Sequence, residues 1–402
     1  MSLIRSERTA AGILLGAAVL GLVLANTPIG PALLGLQETH AGPAALHLDL
    51  SVGHWISDGL LAIFFFIVAV ELRHELTVGE LDSLHKALHP AIAAVFGVLV
   101  PAGIYLAFTA GSGFEEGWPI PTATDIAFAL GVLAIFGRGL PKRIRVFLLA
   151  LAVLDDLIAI IIIAVFFTAD PNFLDLGLAA VTTTAFGLLS RLLRGGMRAP
   201  IAVLMVLLAI LTWALVHDSG VHATIAGVAL GLVMSRAPAR KTTHALEPWS
   251  NGVVLPLFAF SAALVVIPAV PIDQLSPAFW GIFVALPVGK FIGITFGGWL
   301  GGKVGPKSSR PKTGIASTLA VAALGGVGFT VSLLMNELAF RSSATVRDEG
   351  TIAVLLGSAI AIVAGSIAVA LLARRNRRRH PHGGGVHPYG GASGGPHGGV
   401  SL

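Results

Sequence analysis

The chain has 402 residues, of which 55% are hydrophobic and 12% charged, with a formal net charge of +5 and a mean hydropathy of +0.86. A soluble domain carries about 25% charge, so this composition excludes an ordinary soluble protein, and the length divides into membrane spans better than into domains. The absence of cysteine excludes disulfides and thiolate metal sites. The basic residues sit in short loops beside apolar runs, which points to orientation in a lipid bilayer and away from nucleic acid.

Apolar runs fall at about 10–28, 55–72, 87–108, 120–137, 146–167, 174–193, 199–217, 220–235, 250–269, 278–301, 313–340 and 350–373. They predict an all-α polytopic membrane protein with about twelve spans. Arg5 and Arg8 precede the first run, but no clear small-residue cleavage site follows, so it reads as an uncleaved first helix. The long connection around 30–54 leaves room for a short hairpin. The fourth run, in "GWPIPTATDIAFALGVLAIFG", opens with two prolines and gathers Thr122, Thr124 and Asp125. The fifth is interrupted at its centre by Asp155 and Asp156. A charge at that depth costs at least ~2.5–3.5 kcal/mol, so a function is the default reading. The tenth run carries Lys290, and the eleventh has Gly325, Gly326 and Gly328 at its middle, followed by Thr330.

The arrangement can be tested against the distribution of positive charge. With the N-terminus inside, 23 of the 26 Lys and Arg fall on the inner side; only Arg341 and Arg347 lie outside, and Lys290 is within a span. Both termini are therefore expected in the cytoplasm. One helix too many or too few would scramble this asymmetry. Residues 1–373 form the membrane unit, and 374–402 read as a disordered cytoplasmic tail, basic and then rich in Gly and His, with too few apolar residues for a core. Its His380, His382, His387 and His397 match a weak metal-binding composition, although a solvated tail is the plainer reading.

Well inside the spans lie Asp125, Asp155, Asp156 and Lys290, with Asp58, Glu71, His222 and Glu247 nearer the ends. A single intramembrane aspartate is often a structural hydrogen bond between helices. Three with a lysine at comparable depth point to an ion pathway, and pairing of Lys290 with an aspartate would relieve two desolvation costs at once. Prolines in the fourth run and glycines in the eleventh predict half-helices. These are the middle members of spans 3–5 and 10–12, and an offset of seven spans makes those trios inverted repeats, as in secondary transporters.

"ATDIAFALGVLAIFG", "LALAVLDDLIAIIIIAVFF", "SGVHATIAGVALG", "LPLFAF", "GKFIGI" and "GGVGFTVSLL", in this order, resemble the NhaA family of sodium/proton antiporters over most of residues 10–373. The resemblance implies that Asp155 and Asp156 bind sodium and couple it to protons, with Lys290 facing them. It places Asp125 and Thr124 at the crossing of two broken helices, where half-helix ends of like sign need a compensating charge. It implies exchange of cytoplasmic Na+ for external H+ in a bacterial plasma membrane, electrogenic at two protons per sodium. There is no cofactor; Na+, with Li+ as an alternative, and H+ are the cargo. The sequence is silent on oligomeric state, and a homodimer is one arrangement it allows.

There are departures from the family pattern. Ser261, Ala262 and Ala263 stand where an Asn-containing run is common, Phe291 follows Lys290 where proline is frequent, and Thr243 replaces an acidic residue with Glu247 one turn away. These leave transport intact but unsettle the pH response, for which Glu71, Arg73, Glu75, Glu247 and His222 are the candidates. A loop of solvated charges and a helix-packing histidine are the plainer readings.

Physically, adjacent carboxylates at low dielectric titrate as a coupled pair. A cation stabilises the ionised form and protons neutralise it, so the two exclude each other, and an exchanger needs only that loaded forms reorient. A cation channel is the nearest alternative, but channels use rings of repeated groups. An intramembrane enzyme fits less well. Aspartyl proteases take their aspartates from different helices, and prenyl-transfer enzymes need acidic clusters with several basic residues.

Overall fold

The structure is a computed structural model that describes residues 7–43, 48–78, 84–137, 140–168, 171–193, 198–267, 272–304 and 314–379. The histidines of the C-terminal tail lie outside the described residues. The chain is an all-α membrane protein. Among the described residues, seven helices are long and apolar enough to cross a bilayer, and two bent pairs raise the number to nine if each pair is one span.

The first bent pair is α1 (Glu7–Ala25) and α2 (Gly30–Glu38), which turn through 110°. A two-stranded antiparallel ribbon, β1 (His40–Ala41) and β2 (Leu50–Ser51), follows in the connection that left room for a hairpin. Next come α3 (Val52–Thr77), α4 (Leu84–Thr109), α5 (Ile126–Phe136), α6 (Lys142–Phe166), α7 (Phe173–Leu192), α8 (Arg198–Asp218) and α9 (Thr224–Val233). α10 (Arg236–Trp249) runs through a π-helical turn at Ser250–Val254 into α11 (Leu255–Ala262). α12 (Pro277–Gly301) carries Lys290, and α13 (Ile315–Gly325) and α14 (Phe329–Ala339) form the second bent pair, at 46°. α15 (Ala344–Arg379) closes the bundle.

Three of the twelve apolar runs do not become long apolar helices. In 120–137 a short 3-10 turn at Ile120–Thr122 gives way to extended backbone at Ala123 before α5 begins. Pro119 and Pro121 lack the amide donors a continuous helix would need. The run 220–235 yields only the 10 residues of α9, and 250–269 is shared between the π-helical turn and the 8 residues of α11. Such wide turns arise where the helical ladder is interrupted. Pro256 sits just past this one, and Pro287 lies inside another at Ala285–Gly289, immediately before Lys290. At the other end, α15 continues through Arg379, past the expected boundary at 373. Arginine is a good helix former, and its long side chain carries charge away from an apolar stem, so the helix need not stop where hydrophobicity does.

Small residues fix the close contacts. Gly289, Gly293, Gly297 and Gly301 fall every fourth position on one side of α12, where each lies against the backbone of α4: Pro101, Phe96, Ile92 and His89 in turn. A methyl group at Gly297 would stand 2.7 Å from the Ile92 carbonyl oxygen, and at Gly301 2.9 Å from that of His89. The same device joins α9 to α3, where Gly231 stands against the carbonyl of Phe66 and Gly227 against that of Ala62. Large apolar side chains on α7 and α8, such as Val181, Val203 and Val206, are exposed, as suits a surface turned toward lipid.

Candidate ion-binding site

Asp155 and Asp156 are at mid-length of α6, and successive residues on a helix point about 100° apart, so one pair of neighbours serves two environments. Asp155 faces α12. Its Oδ2 accepts from Lys290 Nζ at 2.7 Å and from Thr124 Oγ1 at 2.7 Å, with both charged side chains fully buried. Its other oxygen, Oδ1, is buried with no hydrogen-bond partner among the described residues. Asp156 faces a cavity of about 800 Å³ and has no hydrogen-bond partner among the described residues. The expected lysine–aspartate pairing is thus with Asp155.

Asp125 lies where the two broken helices cross. Its backbone N–H donates to the Val327 carbonyl at 2.6 Å, in the gap between α13 and α14. Its side chain caps α5, where Oδ1 accepts from Phe128 N at 3.1 Å. Oδ2 accepts from Thr330 N at 3.1 Å and Thr330 Oγ1 at 2.7 Å, at the start of α14. One carboxylate therefore serves two helix N-termini, whose partial positive charges favour an anion. Thr124 ties the opposite ends together, because its hydroxyl also reaches the last carbonyl of α13, Gly325 O, at 2.9 Å. The sequence points to Asp125 and Thr124 as site residues but not to Thr330, whose one signal is its place two residues after Gly328.

The cavity brings together most of the remaining candidates. Thr124, Asp125, Asp156 and Thr330 line it together with Glu71, Arg73, Glu75 and Glu247, and with Arg145, Arg236, Arg240 and His244, which the sequence pattern does not single out. Arg73 also has a local structural role, since its Nη1 donates to the Leu232 carbonyl at 2.6 Å and to that of Met234, closing the C-terminus of α9. His222 does not line the cavity. It is buried elsewhere, with Nδ1 2.8 Å from Thr224 Oγ1 and Nε2 3.5 Å from Asp58 Oδ1. We therefore expect His222→Ala to move the pH profile of activity by less than about one unit, since the side chain stands apart from the cavity groups. A pH titration of activity in membrane vesicles checks this, and a larger shift would make His222 a sensor.

An apolar helical bundle with broken helices crossing beside a buried lysine–aspartate pair defines a membrane transport protein of the secondary carrier class. The family model described as Na+/H+ antiporter 1 matches residues 1–369, and the chain belongs to that family. It is 60% identical over 381 residues to the Na(+)/H(+) antiporter NhaA 2 of Clavibacter michiganensis subsp. michiganensis, covering 94% of this chain and 93% of the relative. It is 46% identical over 368 residues to the Na(+)/H(+) antiporter NhaA of Tropheryma whipplei, with 90% and 93% covered. With the Na(+)/H(+) antiporter NhaA 3 of Streptomyces coelicolor the identity is 45% over 387 residues, covering 93% and 80%.

Proposed function

We propose that this chain exchanges cytoplasmic sodium for external protons across a bacterial plasma membrane, with Asp156 and Asp155 as the shared site. The observation that carries the reading is the asymmetry of the two carboxylates. Asp155 is compensated by Lys290, whereas Asp156 faces the cavity and makes no hydrogen bond among the described residues. Sodium and protons compete for that charge, and their mutual exclusion couples the two fluxes. Asp125, held by two helix N-termini and Thr330, supports the site by fixing the helix breaks in register.

The cavity is read as the cytoplasmic entrance, with both chain termini on the same side, because nearly all positive charge collects there. Glu71, Glu75 and Glu247 along its walls are placed to meet incoming protons and to set the pH response. The three short apolar segments are read as completing a twelve-span bundle. Its spans α4 to α6 and α12 to α15 are read as two inverted trios; the packing of α4 against α12 and the contact between the two breaks support alternating access by rocking around a fixed site.

Sodium-dependent proton movement in inside-out vesicles tests the function directly. Addition of sodium should collapse an imposed pH gradient, and passive sodium flux without proton movement would make the protein a channel. Exchange should also be electrogenic, because more than one titratable group is available at the site, Asp156 beside the Asp155–Lys290 pair. One net charge moved across 100 mV is worth about 2.3 kcal/mol, so a potassium diffusion potential alone should drive sodium flux in proteoliposomes. Flux indifferent to the potential would show one-for-one exchange.

A further inference from the structure

A hard cation is held by several oxygens at once, and the carboxylate of Asp156 supplies at most two of them. Asp155 is not among the residues that line the cavity, and its Oδ2 already accepts from Lys290 and Thr124. The additional oxygens have to come from groups that border the same space. Thr330 is one of them. It is buried, lines the cavity with Asp156, and gives its only hydroxyl proton to Asp125 Oδ2 at 2.7 Å. Its oxygen accepts no hydrogen bond among the described residues, so the lone pairs remain for a ligand.

We propose that the Thr330 hydroxyl is a cation ligand, a neutral oxygen that joins Asp156 in holding sodium and thereby sets sodium affinity. The proposal rests on the reading of Asp156 as the ion site. The bond to Asp125 fixes the hydroxyl rotor, so the unused lone pairs of this cavity-lining residue keep a constant direction. A hydroxyl that is already a donor to a carboxylate is also the better electron donor to a cation, because hydrogen bonds in a chain polarise one another. The position of Thr330 in the first turn of α14 follows from the break at Gly326 to Gly328, so the helix interruption itself delivers the ligand.

The test compares Thr330→Val, Thr330→Ser and Asp156→Asn with the parent in proteoliposomes, by sodium-dependent proton movement and by equilibrium binding of radioactive sodium at fixed pH. Thr330→Val is nearly isosteric and leaves the backbone N–H bond to Asp125 in place. It should raise the sodium KM about tenfold, equivalent to about 1.4 kcal/mol, with the maximal rate within about twofold of the parent. Binding should weaken in parallel, and Thr330→Ser should restore both. A valine variant with the parent's KM and sodium binding overturns the proposal. So does one that loses maximal rate at unchanged KM, which is the mark of a structural role. Should the valine variant not fold, Thr330→Ala carries the same KM expectation. Asp156→Asn separates the two claims: if it exchanges normally, the ion site itself is misassigned, whereas an inactive Asp156→Asn beside a normal Thr330→Val removes only the threonine.

Discussion

Asp156→Asn is expected to abolish sodium-dependent proton movement while leaving a folded protein. Asparagine has nearly the same shape and keeps one carbonyl oxygen, but it has no charge to hold sodium and no site to take up a proton. Because Asp156 makes no hydrogen bond among the described residues, the near-isosteric exchange removes none, and the melting temperature should stay close to the parent's. Asp155→Asn differs in kind. It also removes function, but it strands the fully buried ammonium of Lys290 without its anion. The pair of variants should therefore share an activity phenotype and differ in stability. Fluorescence of a pH probe in proteoliposomes and thermal unfolding in detergent read the two properties. Parent-like exchange by both variants would overturn the assignment of the aspartates.

The second large effect is expected at Lys290. Removing one partner of a buried ion pair leaves an uncompensated charge, which costs about 3–5 kcal/mol. Lys290→Ala leaves Asp155 buried with only the Thr124 hydroxyl as donor and with Oδ1 already unsatisfied. The variant should melt well below the parent. The double variant Lys290→Ala with Asp155→Asn should recover much of the loss, because it removes the stranded charge as well as the attraction. Recovery of stability without recovery of exchange would separate the structural from the functional contribution of the pair. A Lys290→Ala protein that melts like the parent would show that Asp155 sheds its charge, by taking up a proton, or meets water once the lysine is gone.

Much of this arrangement is legible in the residues. Charge is so scarce in the apolar runs that Asp125, Asp155, Asp156 and Lys290 stand out singly, and prolines and glycines mark both helix breaks because they act on the backbone locally. What sequence does not carry is which carboxylate meets the lysine. Asp155 and Asp156 are chemically identical neighbours, and only the rotation of α6 against α12 assigns them. Thr330 is hard to see for a related reason. Threonine is common in apolar helices, where its hydroxyl bonds to a preceding carbonyl, as at Thr109 and Thr184, so its exceptional partner appears only in three dimensions. Arg73 shows the reverse case. Its place near Glu71 and Glu75 suggests a pH response, while the fold also uses it to close α9. The short helices are invisible to hydropathy, since a run of apolar residues has the same composition whether or not a wide turn divides it.

The glycines of α12 have one more implication. Four successive turns of that helix lie against the α4 backbone without intervening side chains, so any sliding of one past the other would drive a carbonyl into a neighbouring turn. The Lys290 backbone is therefore mounted on a two-helix slab with little freedom of its own along the helix axis. A tilt of that slab relative to α6 would carry the lysine away from Asp155 as a unit. If the protein works by rocking of one bundle against another, as proposed above, such a tilt would strain the lysine–aspartate bond, and a proton exchanged by the pair would then be coupled to the change of side.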